Sequence, residues 1–581
     1  MDKVRVAAAQ FGVGTDLQEN LATCLRVIDE AAQHGPDLLV LPEFCNHLAW
    51  YDSPARAYEV SLELDGAWLA AIGAKAKERG FYVKICVTVR RAKGLATVSN
   101  LLYGPAGALL GVTDKQTLMG NENNFFTRAQ THGPILDLPT GRVGMYACAD
   151  GLLMETSRLL AVRGAQILLN SLNSFALDEA SLHIPARAAE NRCFVVAACK
   201  VGPLLPPEMM EMVAQRMKIS STWLHGAGES QIVAPDGTVL AIAPRTGEAI
   251  IYADIDPAQA DDKRRPDGTD VFKNRRPALY QPIAQEPSER HYKPGAARVQ
   301  VACYQPQARG EAAIEECAEA VKEAAAEGAQ LVVLPELFCF GTDERFRGRQ
   351  RPERSIVAEN VLSIALARVP HCVVVTSLPR SDETGKWYNV GVLVTRDGIV
   401  FEQPQLHRSQ RHAKWCKGLG DKLHTFDLPF GRLAIMVGDD TLYPESFRLA
   451  ALQDVEIVAA PMHTMEKWEL ATGLPERAAE NRLSIVAASR QTPHGGSSIV
   501  TITEDFTLWA EWKNRPFDGN INYPLVTRAT ENGLLRGEIY PACAGNRLVS
   551  QKTDVVDGRP WWLCGPLVAE NLKPGRVEVV S

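Results

Sequence analysis

Apolar and polar positions follow two rhythms along the chain. Continuous apolar runs such as "VRVAAAQ" from residue 4, "DLLVLPE" from 37 and "YVKICVTVR" from 82 have the length and saturation of strands buried on both faces. Between them the spacing is helical. Residues 16–34, "DLQENLATCLRVIDEAAQH", turn Leu17, Leu21, Leu25, Val27 and Ile28 mainly inward, and Gly35 ends the pattern. "AWLAAIGAKAKERG" reads as a second helix closing on Gly80. Strand–helix alternation of this kind predicts a layered α/β domain.

The pattern then repeats. "VRVAAAQ" returns as "VQVACYQ" at 299, "GPDLLVLPEF" at 35 as "GAQLVVLPEL" at 328, and "GRVGMYACADGLLMETSRLLA" at 141 as "GRLAIMVGDDTLYPESFRLAA" at 431. "IPARAAENRCFVVAA" at 184 returns as "LPERAAENRLSIVAA" at 474. The offset is 293 from Glu43 to Glu336 and 290 from Asp150 to Asp440, far too long for a solenoid, so a domain has been duplicated. A charged, proline-rich stretch at 263–297 separates the copies. The expected division is a domain over 1–262, a linker or extension over 263–297, and a second domain over 298–581 with an added tail from about 511.

Composition narrows the function classes. A chain of 581 residues exceeds what one core usually serves. A net charge of −7, with no basic arm and no Cys/His zinc spacing, argues against nucleic acid or an anionic membrane as partner. No apolar run has bilayer-spanning length, and the opening "MDKVRVAAAQ" lacks a secretory pattern. Thirteen irregularly spaced cysteines suit reduced thiols and a cytoplasmic location.

Three polar residues stand where apolar strands end: Glu43, Lys115 and Cys148. A carboxylate to move protons, an ammonium to steady an oxyanion and a thiol to attack make a set suited to acyl transfer. Each also has an ordinary reading. A strand-end cysteine packs like a small hydrophobe, and a lone glutamate or lysine is commonly a solvated charge.

The motifs taken together tip this balance. "LPEF" after "DLLV", "GVTDKQTL", "ACAD" with "ETSRLLAVRGAQILL", and "ARAAENRCFVVAA" resemble the nitrilase superfamily of carbon–nitrogen hydrolases over residues 4–281, and more weakly over 299 to about 510. The resemblance implies two tandem α-β-β-α sandwich domains packed as an internal pseudo-dimer. It implies Glu43 as general base, Lys115 as oxyanion-stabilising cation, Cys148 as nucleophile and Glu122 as a second glutamate positioning the lysine. The backbone N–H of Ala149 would complete the oxyanion site, and no metal or organic cofactor enters the scheme. Arg128 and Ala129 stand where the family has Pro-Gly.

In the second copy the same register lands on Gln405, His412 and Gly438, with only Glu336 kept, so that copy is expected to be inactive. The nearest spare thiol there, Cys416, sits on a loop. Cys148 is followed by Ala149 and Asp150 rather than the Trp-Glu of nitrile-cleaving members, which resembles the amidase and carbamoylase branches. The implied reaction is hydrolysis of a small non-peptide amide to an acid plus ammonia or amine. The alternatives are an N-carbamoyl (ureido) substrate and, further back, a nitrile or a glutaminase-type ammonia donor. "GLLM" at 151–154 tilts the pocket toward apolar ligands, and His47, Trp50 and Asn173 are candidates for its wall. An insertion at 203–225, with a helix expected over 207–217 and Met209, Met210, Met212, Val213 and Met217 on one broad face, is placed to cover it.

Overall fold

The computed structural model describes residues 3–340, 350–507, 512–513 and 515–570. The chain folds into two compact units that do not follow chain order. The first comprises Met1–Lys263, Asp505–Asn522 and Leu548–Ser581, and the second comprises Arg264–Glu504 and Tyr523–Arg547. The tail expected to stay with the second domain is therefore divided. Of the tail from 511 onward, residues 511, 514 and 571–581 lie outside the described residues.

The first unit contains strands β1 (Val4–Gln10), β2 (Leu38–Val40), β3 (Tyr82–Arg90), β4 (Ala96–Tyr103), β5 (Leu109–Asp114), β6 (Leu136–Leu138), β7 (Gly141–Ala147), β8 (Ile167–Leu172), β9 (Phe194–Cys199), β10 (Gln231–Val233), β11 (Val239–Ile242) and β12 (Ala249–Ile255). They form two six-stranded sheets ordered β12-β1-β2-β3-β4-β5 and β11-β10-β9-β8-β7-β6. The central trios β1-β2-β3 and β7-β8-β9 are parallel, and this is why their sequences are continuously apolar rather than alternating. The second unit repeats both sheets with the same strand order.

The first unit is an α-β-β-α sandwich. Val6, Ala8, Val40 and Leu102 of one sheet meet Met145, Ile167, Leu169 and Val196 of the other in a core between the sheets. On the outer face, helices Leu17–Ala32 and Ala67–Arg79 press Cys24, Ile28, Ala31, Leu69, Ile72 and Ala76 onto Ala7, Leu39, Val83 and Ile85. Leu17, Leu21 and Leu25 are the half-buried shoulder of that contact, not its centre line. Asp16 caps the first helix by accepting the N–H groups of Gln18 and Glu19. Gly80 ends the second helix in the left-handed region, at φ 75°. Among the described residues no helix is long and apolar enough to cross a membrane.

The insertion forms the expected helix, Pro207–Met217, burying Met210 and Ala214 against Leu224. Met212 is 55% exposed, however. Two residues on from Met210 it points to the opposite side of a 3.6-residue helix, so the apolar face is narrower than the sequence suggested.

Two tail segments complete the first unit. Leu177 N–H donates to Gly519 O (2.9 Å), and Asn522 N–H donates to Asp178 Oδ2 (2.6 Å). Farther on, Gly120 N–H donates to Thr553 Oγ1 (2.9 Å), whose own hydroxyl donates to Leu118 O (2.9 Å). Trp562 Nε1–H reaches Ala129 O at 2.9 Å. Thr553 is buried and satisfies two backbone groups at once. Thr553→Val is therefore expected to destabilise the first unit by about 1–3 kcal/mol, read as a lower urea midpoint with an unchanged m-value.

Candidate functional site

The strand ends assemble one site from both sheets. Glu43 follows β2, Lys115 follows β5 and Cys148 follows β7. Asp150 ties the lysine and cysteine loops together, accepting the N–H groups of Gln116 (3.0 Å), Thr117 (2.7 Å) and Ala147 (3.3 Å). Cys148 opens a one-turn 3-10 helix, Cys148–Gly151, with φ at 47°, a left-handed conformation that costs a side-chain-bearing residue energy. Its N–H is held by Asn170 Oδ1 at 3.1 Å. Ala149 lies in that first turn, where helical N–H groups have no partner within the helix.

The Lys115 ammonium is completely buried, with Nζ 2.7 Å from Glu43 Oε1 and 2.9 and 2.8 Å from the two oxygens of Glu122. Glu122 is itself fixed by Met119 N–H at 2.9 Å. The substituted turn is well anchored: Ala129 N–H donates to Lys115 O, and Arg128 donates to Asn123 Oδ1. Burial works to lower the Lys115 pKa, but the charges of Glu122 and Glu43 outweigh it and hold the ammonium well above its ordinary value. Burial also raises Glu122, with Lys115 opposing. Burial and then the Glu43 charge push the Cys148 thiol well up, against the pull of Lys115. The resting site thus holds an ammonium and a protonated thiol. Glu43 Oε2 is buried and has no hydrogen-bond partner among the described residues.

Cys148 and Glu122 open onto a cavity of about 240 Å3. Trp50 and Asn173 are on its wall, and Asn173 Oδ1 is buried without a partner among the described residues. His47 lies behind the wall, its Nδ1 2.7 Å from Leu48 O and its ring stacked on Tyr51. The insertion contributes Leu204, Leu205, Val213, Met217 and Leu224, the tail contributes Ile521, Val549 and Ser550, and Thr507 just before the tail also lines it.

The sequence offered the tail from 511 as a cover for the first domain's mouth beside ordinary tail packing, but it left out two buried cations. Lys84 on β3 and Lys200 after β9 are fully enclosed, and burial pushes both down to about 8. Lys84 donates to Ser171 Oγ, and Lys200 Nζ sits over the Phe44 ring at 5.6 Å. A lysine flanked by apolar residues in a doubly covered strand was the available signal.

The corresponding place in the second unit is filled by its own side chains. Glu336 accepts hydrogen bonds from Asn389 (2.9 Å) and Arg411 (2.9 Å), and His412 Nε2 lies 3.1 Å from it. Arg411 and Arg265 both donate to Asp439 at 2.8 Å, and Arg265 also reaches Glu469 at 2.6 Å. Burial alone would raise Glu336, but Arg411 and His412 hold its carboxyl well below the usual range. Gly438 keeps the left-handed turn at φ 54°, and a Cβ there would overlap the Glu336 carboxylate. Cys416 is buried, its thiol turned to Gly418 O.

The carbon–nitrogen hydrolase family profile matches residues 5–265 and 296–505. Among curated relatives, a nitrilase of Pyrococcus abyssi is 27% identical over 45% of this chain and 93% of its own length. Human deaminated glutathione amidase is 29% identical over 47% of this chain and 83% of its own. Among solved structures, an amidase from Nesterenkonia sp. is 24% identical with a TM-score of 0.38, covering 45% of this chain and 94% of that one. The C. elegans NitFhit protein is 22% identical with a TM-score of 0.42, covering 51% of this chain and 70% of that one.

The buried lysines and the Gly438 turn each carry an expectation. Lys84 and Lys200 titrate near 8 in the fold and near ~10.4 in the unfolded chain. The unfolded chain therefore binds more protons between those values, and these lysines make stability rise with pH across that window. Lys200→Met should remove its share of the rise in urea unfolding compared at pH 8, 9 and 10; equal slopes would refute the assignment. Gly438→Ala, which adds both a clash and backbone strain, should cost the second unit about 1–3 kcal/mol in chemical denaturation.

Proposed function

The chain belongs to the carbon–nitrogen hydrolase family, and from the first-unit site we propose that it hydrolyses a small non-peptide amide through a thioester on Cys148. The carrying observation is the buried Glu43–Lys115–Glu122 charge set beside a thiol at a cavity wall. Because the thiol rests protonated, Glu43 takes its proton as the sulfur attacks the carbonyl carbon. The oxyanion that forms is held by Lys115 and the N–H of Ala149. Lys115 keeps its proton throughout and acts as a fixed charge, steadied by both oxygens of Glu122. Glu43 returns the proton to the nitrogen, the C–N bond breaks, and ammonia or amine departs. A water then gives a proton to Glu43 and attacks the thioester, releasing the acid and restoring the thiol.

Two acceptors favour an amide over a nitrile. Glu43 Oε2 and Asn173 Oδ1 are buried without partners among the described residues, and a carboxamide nitrogen offers two N–H donors. A nitrile offers none. The relatives named as amidases point the same way.

Cys148→Ala should abolish ammonia release from amides, and intact-mass spectrometry should find the acyl adduct in the parent chain alone. Glu43→Gln should lower kcat/KM by about 10²–10⁴. Full hydrolysis by Cys148→Ala would remove the nucleophile assignment.

A further inference from the structure

The tail over 548–563 repeats the stretch over 264–279 at a constant offset of 284, a relation carried by hydrogen bonds more than by residue identity. Asp270 Oδ1 accepts from Phe272 and Lys273, and Asp554 Oδ1 accepts from Val556 and Asp557. Arg264 pairs with Asp270 as Leu548 pairs with Asp554. Thr269 Oγ1 accepts Gln410 N–H, and Thr553 Oγ1 accepts the N–H of its counterpart Gly120. In this register Val549 is the counterpart of Arg265.

The two residues do opposite things. Arg265 is buried in the second unit's degenerate site, bound to Asp439 and Glu469. Val549 lines the cavity in front of Cys148, where the counterparts of the arginine-binding residues are Ala149 and Glu179. The second arginine of the plug, Arg411, is matched by Asn121, also on the cavity wall.

With both guanidinium groups replaced by smaller neutral side chains, the space becomes an apolar compartment bounded by Phe125, Leu205, Val213, Met217 and Ile521. No lysine, arginine or histidine is among the described residues lining it, and its ionisable members are the acids Glu122 and Glu179, apart from the thiol and Tyr51. A substrate carboxylate would be desolvated there with no cation to meet it. A dry apolar cavity of roughly 150 Å3 takes a benzene ring, so about 240 Å3 admits an aryl group on a short linker or a medium alkyl chain.

We propose that Val549 is the specificity-determining position of the site: it holds open an acyl compartment for uncharged, apolar acyl groups of about phenylpropionyl size, which an arginine there would close. This rests on the amidase reading above. The test measures kcat/KM for acetamide, hexanamide, 3-phenylpropanamide and succinamate. Each added methylene should raise kcat/KM about fourfold until the cavity is filled. Succinamate should fall at least tenfold below hexanamide. Val549→Arg, in protein whose far-UV spectrum matches the parent, should lower the hexanamide-to-acetamide ratio at least tenfold, whereas Val549→Ala should shift the optimum to longer or bulkier acyl groups.

Turnover of succinamate as fast as hexanamide would overturn the proposal, as would an unchanged ratio in Val549→Arg. If no amide releases ammonia, the amidase reading fails instead. The compartment is then judged by calorimetry on Cys148→Ala, where 3-phenylpropanamide must bind more tightly than succinamate and lose at least tenfold in affinity when Val549→Arg is added. Failure of that binding overturns the compartment independently of any chemistry.

Discussion

A fully buried ammonium ion is the constraint around which the first unit is arranged. Lys115 is tolerable in that position only because its Nζ makes three short contacts to two carboxylates. Those carboxylates arrive from a different strand end of the same sheet and from the loop following the lysine, so the charge balance obliges two strand ends and one loop to meet at a single point. The second unit lacks this cation and has been rebuilt around the loss. With glutamine at 405, Glu336 would be a buried anion without a counter-charge; Arg411 supplies it and His412 Nε2 sits beside the carboxylate, from positions where the first unit has Asn121 and Glu122. The substitutions form a charge-compensated set, and their combined effect is a closed ion network where the other unit has a cavity.

The same comparison explains the backbone at the thiol. Both units keep a left-handed residue at the turn, and both keep the aspartate that stitches this turn to the neighbouring loop: Asp150 in one, and Asp440, accepting from Leu406, His407 and Val437, in the other. A cysteine carries strain there that a glycine does not. In the first unit that strain is retained along with the thiol. In the second, glycine relaxes the turn and leaves room for Glu336 to occupy the space a side chain would need.

Much of this could be read from the chain. Continuous apolar runs marked the parallel strands, and the long-period repeat placed Glu43, Lys115, Glu122 and Cys148 in register with Glu336, Gln405, His412 and Gly438. What escaped was encoded in forms that residue type carries poorly. The repeat of 264–279 in 548–563 retains "TDV" but shifts its offset from 290 to 284, and the likeness lies in backbone hydrogen bonds that many side chains permit. Trp50 and His47 are near neighbours on one loop, yet only Trp50 reaches the cavity, because His47 is drawn back onto Leu48 and Tyr51. Lys84 and Lys200 looked like ordinary strand lysines, although their neighbours in "YVKICV" and "AACKVG" left no solvent-facing side for them.

The allotment of tail segments also gives the chain a temporal order. The strands that carry Glu43, Lys115 and Cys148 are all synthesised before residue 200, but Ile521 and Val549, which close the cavity, emerge late in translation. At roughly 5–20 residues per second, about 400 further residues after the last of those strands take on the order of 20–80 s to appear. Throughout that interval the nascent first unit carries a thiol in an unfinished, open-walled groove. A chain ending before residue 521 would lack Ile521, Val549 and Ser550 from that wall.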